Sequence, residues 1–363
     1  MGLFGFNSSS MAGGLYFGPP AWRVQAWPSL PAEVADSHMH RLPVPEDRVT
    51  LCRLLTTVCP DATSHWMPGL RQSLEQLAQR PCTRLVLNLL PEQPESQLNA
   101  GLTLFVMKEL ASGLALVAAC LKPQQVIIAI NRHDKSMVRA WRKEAAEKSY
   151  RLAPLLDRYP QAHPLLLLRA ICPSRFYANE SPVDRGVICL DAVTCWAIGC
   201  WLLNGSGPGV RPVELFSDGA EPGLAYVRPG ENIGKILDGA GVGWQGRQCI
   251  LNGMLTGQQV NPEIGLTDWA TSSLSVRDLP AAELERDCIR CGWCVSVCPV
   301  GLNPLALIGQ LRLNYPPSGE QEAAACVQCG LCSYVCPSRL PLSSGIKLLN
   351  ERTDAQAGKQ EQS

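Results

Sequence analysis

The sequence has no net charge: its 363 residues hold 32 Lys and Arg against 32 Asp and Glu. Without a basic surplus there is little to neutralise a phosphate backbone, so nucleic acid is not expected as a partner. The sequence also lacks the roughly 20-residue unbroken apolar run that a membrane-spanning helix needs. Residues 101–121 are interrupted by Lys108 and Glu109, and residues 187–203 are short and contain Asp191. Both stretches are expected to be core helices. No basic stretch followed by an apolar one marks a secretory leader near Met1. Phe6 stands where N-terminal myristoylation requires Ser or Thr. Walker and G-x-S-x-G sequences are missing, and the acidic residues show no pairing suited to acid–base work. Among His38, His40, His65, His133 and His163 only the first two lie close together, and they read as loop histidines rather than metal ligands.

What the sequence has in plenty is cysteine, 17 in all. An odd count without a leader points to a reducing compartment, where thiols are buried or bind metal. Cysteines such as Cys120, Cys195 and Cys200 sit in apolar runs and read as small buried hydrophobes. Eight others form two runs. Cys288, Cys291, Cys294 and Cys298 precede Pro299; Cys326, Cys329, Cys332 and Cys336 precede Pro337. Both match C-x2-C-x2-C-x3-C-P, in which three cysteines wrap one 4Fe–4S cluster and the fourth serves the other. Cluster one is therefore expected to take Cys288, Cys291, Cys294 and Cys336. Cluster two is expected to take Cys326, Cys329, Cys332 and Cys298. Zinc, which uses two pairs of cysteines, would not need a doubled run of four, and thiol redox chemistry needs only one C-x-x-C. Gly292 and Gly330 are expected where the chain curls around each cluster. Arg290 and Arg339, beside the motifs, are either stabilisers of reduced clusters or solvated surface arginines.

The rest of the chain reads as an α/β protein. Helical spacing is expected over 70–79, an apolar helix over 98–121 and a further helix over 135–148 capped by Asp134. Short apolar runs at 84–90, 125–130 and 151–156 read as strands of a parallel sheet. Residues 191–203 read as another helix. Turn signals crowd 205–275, a small β-rich module with one helix at 232–237. The expected organisation is a region at 1–68, a Rossmann-like α/β domain at 69–204, the β-rich module at 205–275, a dicluster ferredoxin-like domain at 284–349 and a polar, disordered tail at 351–363.

The order of these parts resembles the RnfC (also RsxC) family, a component of the Rnf ion-translocating ferredoxin:NAD oxidoreductase complex. The resemblance is carried by the Tyr159-Pro160-Gln161 triplet and by residues 186–194, beginning Gly186-Val187 and ending Val193-Thr194. It continues at 213–219 and 252–257 and ends in the double cysteine motif. It covers about residues 80–350. It implies a complex-I-flavoprotein-like α/β domain, a β-grasp module of the soluble-ligand-binding (SLBB) type at 205–275, and a reduced N-terminal region at 1–68. The family binds flavin mononucleotide and NADH through glycine-rich loops. At the corresponding places this sequence has Ser64 to Leu70 with one glycine, Asn88 to Pro94 with none, and Ala162-His163-Pro164 after the triplet. Asp191 puts an anion where a flavin contact is expected.

The sequence therefore points to an iron–sulfur electron-transfer subunit with two 4Fe–4S clusters and without bound FMN or NADH. Its expected partners are other subunits of a membrane redox complex, or a soluble ferredoxin or flavodoxin. The expected location is cytoplasmic, peripheral to the inner membrane. The alternatives are an active NAD(P)H dehydrogenase or cobalamin-reductase-like flavoprotein with a divergent site, and an assembly or docking subunit with structural clusters.

Overall fold

A computed structural model describes residues 43–58, 66, 69–172, 181–279, 285–313 and 323–360. Most of the N-terminal region, including His38, His40, His65 and most of the Ser64–Leu70 loop, lies outside the described residues. The chain divides into two compact units, one spanning Tyr16–Ala281 and one containing Ala282–Ser363.

The larger unit is built on a parallel sheet of β1 (Arg84–Asn88), β2 (Gln125–Asn131), β3 (Arg151–Leu155) and β4 (Val187–Asp191), in the order β3-β2-β1-β4. Leu85, Val86 and Leu87 in β1 are fully buried. That is the mark of a central parallel strand covered on both faces. Helices α1 (Arg48–Val58), α2 (Leu70–Leu77), α3 (Leu98–Phe105), α4 (Met107–Leu121), α5 (Lys135–Glu147), α6 (Pro164–Ile171) and α7 (Ala192–Asn204) accompany it. Asp134 accepts hydrogen bonds from the amides of Ser136 and Met137, starting α5 as its sequence indicates.

The apolar stretch over 98–121 is not the single helix expected from its composition. It breaks at Val106, and α3 and α4 meet at 97°. Tertiary packing decides this. In α4, a Cβ added at Gly113 would fall 1.9 Å from the carbonyl oxygen of Cys195; one added at Gly199 in α7 would fall 1.7 Å from that of Glu109. The two backbones thus cross in contact, and α4 must follow α7 while α3 follows a different line. Among the described residues no single helix is long and apolar enough to cross a membrane; the bent α3–α4 pair passes on length and composition only. Its Leu102, Leu110, Leu114 and Val117 are fully buried in the core.

A second sheet follows in the same unit: β5 (Arg211–Ser217), β6 (Gly223–Val227), β7 (Gln248–Leu251), β8 (Gln258–Val260) and β9 (Ser273–Arg277), in the order β6-β5-β9-β7-β8. Strands β5 and β9 run parallel at its centre and the other pairs are antiparallel. Helix α8 (Ile233–Gly239), capped by Asn232, packs Ile233, Ile236 and Leu237 onto it. Trp196 of α7 stacks on Tyr226 of β6, with ring centroids 5.7 Å apart.

The second unit holds α9 (Trp293–Ser296), α10 (Pro304–Leu313), α11 (Leu331–Tyr334) and α12 (Leu342–Gln360). Helix α12 runs through Gln360, so residues 351–360 are helical where a disordered tail at 351–363 was expected; residues 361–363 lie outside the described residues. Leu342, Ile346 and Leu349 anchor its first turns in the core of this unit. Once nucleated, a helix extends cheaply through residues such as Glu351, Arg352, Ala355 and Ala357.

Candidate metal centres

The two cysteine runs fold alike. Cys326 follows Cys288 by 38 residues, and the same offset relates the later cysteines, α11 to α9 and the start of α12 to that of α10. The backbone repeats too. Arg290 and Gln328 have φ of 55° and 50°; Gly292 and Gly330 both have φ of 76°. Gly301 at 76° matches Arg339 at 56°. A left-handed residue before the second cysteine and another after it turn the chain around its own thiols. At Gly292 and Gly330 the left-handed turn caps the short helices α9 and α11.

This curl brings the eight cysteines together in two groups. One cavity, of about 300 Å³, is bordered by Cys288, Cys291, Cys294 and Cys336. The other, about 20 Å³, is bordered by Cys298, Cys326, Cys329 and Cys332. Each draws three thiols from one run and the fourth from the other. The crossing is held by Ser338, whose hydroxyl donates to the carbonyl of Asp287 at 2.8 Å and whose carbonyl accepts from the amide of Arg286 at 3.0 Å.

Backbone donors face the sulfurs. The amide of Arg290 donates to Cys288 Sγ at 3.3 Å, and that of Leu302 to Cys298 Sγ at 3.2 Å. Burial pushes the thiols of Cys329 and Cys332 up to about 12, against the opposing pull of the amides of Leu331 and Ser333. Burial also raises Cys294 and Cys326. Such thiols are neutral until a metal displaces the proton. Among the described residues, no three His, Cys, Asp or Glu side chains converge on a single-ion site. The thiols ring a space instead of meeting at a point, which suits a multi-iron core and not one zinc ion.

The two groups differ in exposure. Cys288 and Cys291 are exposed, whereas Cys329 and Cys332 are buried. Arg290 and Arg339 are also exposed. His133 accepts from Arg132 Nε at 3.2 Å, and His163 caps α6 by accepting from the amide of Leu165 at 3.3 Å.

In the larger unit, the strand order reverses between β1 and β4, and Asn88 lies in register with Asp191 at their C-terminal ends. A crevice opens at this switch point, the position where open parallel sheets take ligands. Its helix starts are already occupied. Asp191 caps α7 by accepting from the amide of Thr194 at 2.8 Å. Glu214 accepts from the amide of Gln97 at 2.6 Å, at the start of α3. Burial pushes the Glu214 carboxyl up to about 8. The sequence carried no signal for Glu214: its role depends on β5 passing the start of α3, more than a hundred residues earlier in the chain.

Residues 287–340 match the family described as a 4Fe–4S dicluster domain. The chain is similar to the C component of the ion-translocating oxidoreductase complex of Salmonella typhimurium, at 27% identity over 234 residues, covering 62% of this chain and 31% of that protein. The counterpart from Salmonella choleraesuis is also 27% identical, with 33% of its length covered. The chain thus spans about a third of the length of these relatives. Its fold is similar to that of an NAD+-reducing [NiFe]-hydrogenase chain. The air-oxidized structure gives a TM-score of 0.54 at 15% identity, covering 81% of this chain and 60% of that one. The H2-reduced structure gives 0.55, covering 88% and 62%. The resemblance to RnfC read from the sequence is borne out, and so is the mixed α/β architecture ending in a 4Fe–4S dicluster domain.

Proposed function

We propose that this chain is an electron-transfer subunit that relays electrons through two 4Fe–4S clusters to or from partner redox proteins at a membrane complex. Cys288, Cys291, Cys294 and Cys336 hold one cluster; Cys326, Cys329, Cys332 and Cys298 hold the other. The observation that carries this reading is the exchange of the fourth thiol between the two cavities, which the dicluster motif requires. When bound, the clusters supply one-electron carriers. The chain's own residues supply thiolates, direct amides such as those of Arg290 and Leu302 at the sulfurs, and set how much water reaches each site. The partners are other subunits of the complex or a soluble ferredoxin or flavodoxin, met at the cytoplasmic face.

The same reading holds that the chain binds neither FMN nor NADH. Its support is the crevice between β1 and β4, where Asp191 and Glu214 occupy the helix starts that would hold phosphate in a nucleotide site. Gln93 fills the space beside Gly253, so closely that a Cβ there would fall 2.3 Å from its Cδ. The fold likeness to an NAD+-reducing hydrogenase favours the alternative of a working dehydrogenase. The test is anaerobic reduction followed by electron paramagnetic resonance. Dithionite should reduce both clusters and NADH neither. Cluster reduction by NADH alone would decide for the dehydrogenase.

A further inference from the structure

The switch-point crevice contains a cation whose donors are not all satisfied. Arg211 opens β5 with only 5% of its surface exposed, borders the crevice, and its Nε has no hydrogen-bond partner among the described residues. Burial lowers its pKa, and the charges of Asp191, Glu92 and Asp268 offset this only in part; they leave its Nε donor without a partner among the described residues. One more buried polar atom among the crevice-lining residues has no partner among the described residues: Ser273 Oγ, in a residue 3% exposed. Buried polar atoms left unpaired in a native structure mark a missing ligand or water. Here a planar donor and a hydroxyl belong to residues that border one small space at the C-terminal edge of a parallel sheet.

We propose that this crevice binds a small carboxylate of the size of formate or acetate, paired with the Arg211 guanidinium and hydrogen-bonded by Ser273. A carboxylate matches the fork of a guanidinium in a way that a spherical ion does not. The room is about 30 Å³, enough for about two waters or a ligand of that size. Glu92, Glu95, Asp191 and Glu214 also line the crevice, so their repulsion is smallest for a singly charged anion and grows with the charge of the ligand. This inference rests on the reading that no flavin occupies the crevice.

The test is titration of the complete, cluster-loaded chain with sodium formate at constant ionic strength in chloride, followed by calorimetry and by saturation-transfer NMR of the formate proton. Saturable one-to-one binding is expected, weakened roughly tenfold or more in Arg211→Gln and more mildly in Ser273→Ala. If Arg211→Gln does not fold, Arg211→Lys takes its place, because it keeps the charge and loses the fork. Absence of saturable binding, meaning that only water fills the crevice, overturns the inference, as does binding unchanged in both variants. Stoichiometric flavin in the isolated protein would sink the reading beneath it. A flavin-free protein that ignores formate would sink the inference alone.

Discussion

The crevice at the end of the parallel sheet and the two cysteine cavities sit in different units of one chain, and they treat their ligating groups in opposite ways. In the cavities the chain turns its thiols inward and aims amides at sulfur, leaving the thiols themselves open to a metal. At the crevice the chain satisfies its helix starts itself, with Asp191 on α7 and Glu214 at α3. A site that still binds leaves its donors and acceptors waiting; a site that has closed on itself has consumed them. The cavities belong to the first kind. The crevice belongs to the second for phosphate, with Arg211 the exception.

The largest expected effect lies in the cavities. Cys298→Ser removes a thiol from the second while its neighbours in sequence serve the first. Iron content should fall from about eight to about four per chain, and the surviving signal should be that of the first cluster. Loss confined to the first cluster would break the crossed assignment. Next comes the scaffold of the crevice. Gly199→Ala drives a Cβ into the backbone of Glu109 and should destabilise the larger unit by about 3 kcal/mol in denaturant unfolding. An unchanged midpoint would mean that α4 and α7 do not cross in contact.

The self-capping of the crevice has a pH signature. Burial raises Glu214 from 4.5 to about 8 in the folded chain, so the unfolded chain gives up this proton more readily. The associated stability is fully present below about 4.5 and is lost as pH rises through about 8. Glu214→Gln should flatten that part of the stability profile, as measured by thermal unfolding at a series of pH values. A slope identical to that of the wild type would show that Glu214 is not buried at the start of α3. The smallest effect is Asp191→Ala, which removes the α7 cap and should cost about 1 kcal/mol while leaving iron content unchanged. Stoichiometric flavin uptake by this variant would show that Asp191 blocked a site otherwise intact.

The sequence was most legible where chemistry forces spacing. The ligand spacing and the left-handed glycines follow from wrapping a chain around a cluster, so Gly292 and Gly330 were readable in advance. Arg290, Gln328 and Arg339 take the same left-handed backbone without the glycine that would announce it. Strands β1 to β3 and the Asp134 cap were legible because apolar runs and caps are local signals. The bend at Val106 was not, because it answers to Gly113 and Gly199 meeting across 86 positions of sequence. The helical continuation to Gln360 was masked by polarity, which resembles disorder in composition although the helix is already nucleated upstream. Arg211 and Glu214 were invisible for a simpler reason. A strand residue carries no mark of what another sheet's loops will place beside it.

The most direct test of two clusters beside a closed crevice is to measure iron, acid-labile sulfide and flavin on one anaerobic preparation of the chain. About eight iron and eight sulfide per chain with no flavin are expected, from two cubanes and a crevice that admits no nucleotide. About four iron, zinc in its place, or one flavin per chain would contradict it.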